Sequence, residues 1–225
     1  MRWWDRLLGR GEVARPDLDA LFALPSAAVT LRAATGLAPT GLGAVCFRAA
    51  EGAAFAELER DVTGLLDAGG GPPVEASTDS FGYTWLLVRR TAPSGDPLGD
   101  LVTDLHAVNS SLEAAGFGPS LLCSLVSFAG PAGRRLAMVY LYKQGTFYPF
   151  APLSPLSPSS GRTGGAGTAD GAGRTGGAGG TGGTDEAGRR RDNALELQVR
   201  AALGEELRIE PDLGRWFPLW GAPGL

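Results

Sequence analysis

The stretch "LLCSLVSFAGPAGRRLAMVYLYKQ" at residues 121–144 decides the fold class of this chain. Two apolar runs of strand length lie on either side of residues 130–133, which read Gly-Pro-Ala-Gly. Glycine and proline favour turns, because glycine tolerates positive φ angles and proline fixes its own φ. The pattern predicts a β-hairpin that turns at residues 130–133, and "GTFYPF" at 145–150 predicts a short edge strand after it.

The residues before this hairpin predict more elements of both kinds. Residues 41–49 and 74–90 have the composition of a strand and of a second hairpin. Residues 16–24, 51–70 and 98–118 carry apolar side chains at helical spacing, which predicts three helices. The order of strand, helix, hairpin, helix and hairpin favours an α+β fold, with an antiparallel sheet and helices packed mainly on one face.

A Gly-, Ser- and Pro-rich segment at residues 152–190 interrupts this pattern. Such a segment buries too little apolar surface to offset its ordering entropy, so it predicts a disordered, flexible linker. Residues 191–225 follow, and they predict a helix with a capping box of Asn193 and Glu196, then a tail rich in aromatic residues. We expect this C-terminal part to pack back on an α+β domain at residues 1–151, since a long surface excursion adds little closure entropy.

The first residues, "MRWWDRLLGRGE", predict an amphipathic helix within that domain. Its apolar face comprises Trp3, Trp4, Leu7 and Leu8, and its basic stripe comprises Arg2, Arg6 and Arg10. Tryptophan prefers membrane interfaces and arginine is attracted to anionic lipid, so the helix is a candidate for binding a membrane or a protein partner. A helix that packs on its own domain is the alternative.

Composition excludes several classes of function. The formal net charge of −4 argues against a nucleic-acid partner, because proteins that bind phosphate backbones carry a basic surplus. No apolar run approaches the roughly 18 residues of a membrane-spanning helix. The isolated residues Cys46 and Cys123 favour buried thiols over a disulfide. We therefore expect a cytoplasmic protein, for which the N-terminal helix could provide peripheral contact with the inner face of the plasma membrane.

No residue pattern in the chain predicts a catalytic, metal or cofactor site. His106 is the only histidine, and the GxGxxG matches lie in the linker without the strand and helix that a dinucleotide site requires. Polar and aromatic side chains around His106 and residues 140–150 instead predict a groove for a protein partner, since amphipathic aromatics are favoured at interfaces. The candidate groove residues are His106, Asn109, Ser110, Tyr142, Lys143, Phe147 and Tyr148.

Stretches that include "LVTDLHAVNSSLEAAGFGP", "VYLYKQGTFYPFAP" and "RIEPDLGRWFPLWGAPGL" are similar to PspAB, a family of small actinobacterial proteins. The resemblance implies a non-enzymatic accessory of PspA, a coiled-coil protein that acts at the membrane in the envelope-stress response, and it carries no catalytic residues. Residues 161–188 look like an expansion beyond the typical family member. Two alternatives stay open: a small secretion or assembly chaperone of α+β fold, and an enzyme with a polar pocket near His106.

Overall fold

The computed structural model describes residues 16–49, 53–67, 73–90, 96–153 and 189–225. The predicted N-terminal helix and residues 154–188 of the predicted linker lie outside the described residues.

A six-stranded sheet forms the centre of the molecule, with strand order β2–β3–β1–β4–β5–β6. The strands are β1 (Ala38–Arg48), β2 (Glu75–Thr78), β3 (Tyr83–Arg89), β4 (Leu121–Ala129), β5 (Arg135–Leu141) and β6 (Thr146–Phe150). Every neighbouring pair is antiparallel. The two predicted hairpins are β2–β3 and β4–β5, and the predicted edge strand is β6, so the structure confirms the α+β class with an antiparallel sheet.

Four α-helices of the described chain pack on one face of this sheet. They are α1 (Leu24–Thr35), α2 (Ala53–Asp67), α3 (Pro97–Ala114) and α4 (Asn193–Leu203). Their apolar residues share one core with the strand residues Val45 and Phe47. The prediction of helices mainly on one face is therefore confirmed.

Two local predictions differ from the structure. The helix expected at 16–24 is a 3-10 helix at Leu18–Ala23 that leads directly into α1. Helix α1 itself is not among the predicted helices; Pro25 lies in its first turn, where the missing N–H is not needed. The expected capping box at Asn193 is replaced by Asp192, whose Oδ1 accepts a hydrogen bond from the Leu195 N–H at 3.0 Å. Glu196 is thereby free for a different contact.

The second face of the sheet is covered by the C-terminal tail. Ala44 and Cys46 alternate with the helix-facing residues of β1 and share a second core with the tail residues Trp216, Phe217 and Leu219. The Tyr148 hydroxyl donates to the Phe217 carbonyl at 3.0 Å. Both faces of the sheet are therefore buried, by helices on one side and by irregular chain on the other.

Residues 152 and 153 lie close to residues 190 and 191. Strand β7 (Pro152–Leu153) pairs with β8 (Arg190–Arg191) in an antiparallel ladder. Pro152, Leu153 and Arg190, which the sequence analysis assigned to the linker, are thus paired. The described residues on either side of 154–188 are therefore neighbours in the structure.

Arg191 connects this ladder to α4 and to the tail. Its guanidinium donates to both Glu196 carboxylate oxygens at 2.9 Å, and its Nη1 donates to the Trp216 carbonyl at 2.7 Å. Glu196 Oε1 also accepts from the Ala151 N–H at 2.8 Å. Burial raises the pKa of the Glu196 carboxyl, and the Arg191 charge opposes that shift. We call Arg191 and Glu196 the clasp.

Removing one partner of the clasp should destabilise the fold. Arg191→Ala would leave the carboxylate of Glu196 buried without a counter-charge, and we expect a loss of about 3 kcal/mol, near the lower end for buried pairs. The lower end applies because the Arg191 side chain keeps 16% exposure. The measurement is urea unfolding. Its control is Arg190→Ala at the exposed neighbouring position, which should change stability by no more than about 0.5 kcal/mol. Equal stability of the two variants would contradict the role of the clasp.

Candidate interaction site

The outward sides of α1 and α4 expose large apolar side chains. The two helices are neighbours, and Gln198 Nε2 on α4 donates to the Ala34 carbonyl on α1 at 2.9 Å. Helix α1 turns Leu24, Ala27 and Leu31 toward the core, so the residues half a turn away face solvent. The exposed residues of this surface, which we call the α1–α4 face, are Phe22, Ser26, Val29, Ala33, Ala194, Leu197 and Ala201.

The residues of the α1–α4 face are apolar or small, and the charged Arg32 of α1 is exposed beside them, one turn from Val29. The three large side chains of the face, Phe22, Val29 and Leu197, are 48%, 71% and 49% exposed. Single exposed apolar residues are ordinary, whereas apolar patches mark interaction surfaces. Three large exposed apolar side chains on or beside two neighbouring helices make this face a candidate for such a surface. The small serine and alanine side chains between the large ones let another chain approach the helices closely.

A polar cluster borders this face beside Phe22. The rings of Phe22 and His106 lie 4.9 Å apart between centroids. His106 Nε2 lies 3.2 Å from Asp19 Oδ1, and His106 Nδ1 lies 3.3 Å from Ser110 Oγ. The histidine therefore lies between the aspartate and the serine, with one ring nitrogen near each of them.

The geometry of this cluster is poor for nucleophilic catalysis. The Asp19 side chain is 87% exposed, so water competes for its contact with His106. Ser110 lies within α3, where backbone N–H groups donate to helix carbonyls and cannot stabilise an oxyanion. Cys123, the other candidate nucleophile, belongs to the core on the opposite face of the sheet from α3. The cluster is better suited to hydrogen bonding at the edge of an interface.

The structure does not bring the predicted groove residues into one groove. His106 and Ser110 contact each other at the surface, whereas Asn109 is buried and its Nδ2 donates to the Leu105 carbonyl and to Ser124 Oγ. Asn109 thus ties α3 to β4. The sequence pattern placed these three residues together because they are close in the chain, and α3 turns them in different directions.

The aromatic half of the predicted groove is divided by the sheet. Phe147 and Tyr148 are consecutive residues of β6, so they point to opposite faces, Phe147 to the helices and Tyr148 to the tail. Burial, with the Glu113 carboxylate nearby, raises the pKa of Tyr142 to about 12. Burial, and then the neighbouring Arg48 charge, lowers the pKa of Lys143. All four aromatic and basic residues are at least partly buried within the fold.

A small pocket of about 50 Å³, partly open to solvent, lies between the β2–β3 turn and the tail. Asp79, Phe81 and Trp85 form one wall, and residues 218–222 form the other. The Asp79 carboxylate accepts hydrogen bonds from the Phe81 and Tyr83 N–H groups and from Trp85 Nε1. These bonds use the carboxylate within the turn, so it has little capacity left for a ligand.

The described residues contain neither a cluster suited to a metal ion nor a helix suited to crossing a membrane. Within residues 16–49, 53–67, 73–90, 96–153 and 189–225, no three His, Cys, Asp or Glu side chains are grouped so that they could hold a metal ion. In that same part of the chain, none of the helices combines the length and the apolar character needed to cross a bilayer.

One comparison with known proteins gives a match. The family model PspAB, described as PspA associated protein B, matches residues 1–160 and 184–224. These ranges include the sheet, the four helices, the clasp and almost all of the tail. The unmatched internal residues 161–183 belong to the Gly-rich segment. No curated protein and no solved structure matches the chain.

Proposed function

This chain belongs to the PspAB family, and we propose that it is a non-enzymatic accessory protein that binds a PspA-type partner in an envelope-stress response. The observation that carries the proposal is the exposure of three large apolar side chains, Phe22, Val29 and Leu197, on the α1–α4 face. The family description supports the identity of the partner.

We propose that a helix from a coiled-coil partner docks on the α1–α4 face. In helix-in-groove recognition, an amphipathic helix lays its apolar residues against a hydrophobic surface. Phe22, Val29 and Leu197 would be the anchors, with the smaller residues leaving room between them. Asp19 and His106 would lie at one rim, where polar groups of the partner remain hydrated.

We further propose that the N-terminal segment supplies a second contact. Its apolar residues Trp3, Trp4, Leu7 and Leu8 and its basic residues Arg2, Arg6 and Arg10 are suited to an anionic membrane surface or to the partner. The segment precedes Pro16, which lies six positions before Phe22. A cytoplasmic protein with both contacts would act at the inner face of the plasma membrane.

A small assembly chaperone is the second candidate function, because an exposed apolar face also suits unfolded clients. The two functions differ in what they bind. A PspA accessory should bind the folded coiled coil with a defined stoichiometry, whereas a chaperone should bind many unfolded chains. Suppression of aggregation of an unrelated unfolded protein would favour the chaperone.

Charges placed on the α1–α4 face should weaken binding to the partner. We expect the double variant Val29→Glu and Leu197→Glu to lower affinity for a purified PspA-type coiled coil at least tenfold, about 1.4 kcal/mol or more, because each change buries a charge at the interface. Its melting temperature should stay close to that of the native chain, since both positions are exposed. Isothermal titration calorimetry measures the affinity.

The matched control is Leu213→Glu, which changes a leucine that is 52% exposed and lies outside this face. It should leave the affinity unchanged. If the control weakens binding as much as the double variant, or if the double variant binds normally, the α1–α4 face is not the docking surface.

The N-terminal tryptophans should act in recruitment rather than in folding. We expect Trp3→Ala combined with Trp4→Ala to reduce co-sedimentation with vesicles that contain anionic phospholipid, or to reduce binding to the partner, with little change in melting temperature. A stability loss of several kcal/mol with both kinds of binding intact would instead show that the rings belong to the core.

A further inference from the structure

The two cysteines of the chain are direct neighbours across the centre of the sheet. Although they are far apart in sequence, Cys46 of β1 and Cys123 of β4 are opposite residues in the antiparallel register. Opposite residues of an antiparallel pair point to the same face, with Cβ atoms about 4.5–5.5 Å apart. A disulfide needs a Cβ separation of about 3.5–4.5 Å, so only a small local adjustment is required.

The strand geometry beside the pair allows such an adjustment. The register of β1 and β4 shifts between Cys46 and Phe47, which is a bulge next to the first cysteine. A bulge locally increases twist and interrupts the ladder. The twist at this point therefore differs from that of a regular ladder, which alters the separation of the two cysteines.

Both thiols are reduced and enclosed in the structure. They are free cysteines with exposures of 0% for Cys46 and 1% for Cys123. They belong to the second core, which the tail residues Trp216, Phe217 and Leu219 complete. Burial, and then the neighbouring Cys123 thiol, raises the pKa of Cys46, so the enclosed Cys46 holds little of the reactive thiolate.

The segment that encloses them is held weakly at its end. We call residues 216–225 the strap. Within the described chain, backbone hydrogen bonds after Phe217 are local, from the Ala222 N–H to Leu219 and from the Leu225 N–H to Ala222. The start of the strap is anchored, since the Trp216 carbonyl accepts from Arg191 and the Phe217 carbonyl accepts from Tyr148, and Arg189 lies over the Trp220 ring. From residue 218 onward the strap is irregular chain with these local bonds, the kind of segment that opens before the whole fold does.

We propose that Cys46 and Cys123 form a reversible disulfide with small-molecule disulfide oxidants, and that the strap controls their access to the pair. A thiolate of the pair attacks one sulfur of glutathione disulfide. The attack joins that glutathione to the protein as a mixed disulfide and releases the other glutathione as a thiolate. The second cysteine then attacks the protein sulfur of that mixed disulfide and displaces the second glutathione. Two protein thiols are oxidised, one glutathione disulfide is reduced to two glutathione thiols, and the two protons end on those thiols. The two cysteines therefore react only in molecules whose strap has opened. The Cys46–Cys123 disulfide then persists after the strap closes.

The test compares two core truncations on opposite faces of the sheet. Leu219→Ala loosens the strap, and Leu31→Ala removes an equally buried leucine from the helix-side core. Under native conditions, we expect the thiols of the Leu219→Ala protein to react with a thiol-specific reagent at least tenfold faster than those of the native chain. The Leu31→Ala protein should stay near the native rate. If the Leu219→Ala protein does not fold, Leu219→Val replaces it. We then expect a smaller increase in the rate of thiol reaction.

Intact mass after incubation with glutathione disulfide tests the bond itself. The native chain and the Leu219→Ala variant should accumulate a product that has lost two hydrogens, and Cys123→Ala should instead retain a glutathione adduct. Equal acceleration by Leu31→Ala and Leu219→Ala would overturn the role of the strap, because access would then follow global unfolding. A persistent glutathione adduct on the chain with both cysteines would overturn the disulfide.

Discussion

The structure depends on burial of both faces of its antiparallel sheet. In β4 every residue except the last is buried, and in β5 every residue except the first. An antiparallel sheet commonly leaves one face in water and then shows alternating polar residues, which these strands do not. Each buried aromatic ring removes about 150–250 Å² from water, or about 4–6 kcal/mol at about 25 cal/mol per Å². That is comparable to the roughly 5–15 kcal/mol stability of a whole domain, so the rings of the tail are part of the fold.

This requirement explains the position of the clasp. The chain must cross from the helix side to the tail side after α4, and Arg191 bonds to Glu196 on α4 and to the Trp216 carbonyl of the tail. The same arginine lies in the β7–β8 ladder, where the long Gly-rich excursion begins and ends. Because the two ends are already paired, the length of the excursion adds little to the closure entropy. The family match resumes at residue 184, so both sides of the excursion belong to the matched region.

The sequence was most informative where local chemistry decides the structure. The Gly-Pro-Ala-Gly segment and the apolar runs beside it predicted the β4–β5 hairpin, because turn residues act within a few positions. It was least informative where a contact comes from elsewhere in the chain. Glu196 pairs with Arg191 and accepts from the Ala151 N–H, and these contacts are not visible from spacing alone. The residues predicted to line one groove are divided between the two faces of the sheet, because residues adjacent in a strand, such as Phe147 and Tyr148, face opposite layers. The α1–α4 face was missed because two helices distant in sequence form it.

If the C-terminal tail is an obligatory layer of the fold, the sheet should not fold cooperatively without it. A chain that ends at Leu207 keeps α4 and the clasp residues but lacks the tail that covers the second face. We expect this chain to lose its cooperative urea transition and to bind a dye specific for exposed apolar surface, while helical circular dichroism largely remains. If the truncated chain instead unfolds cooperatively with the midpoint and slope of the full chain, the sheet does not need its second cover.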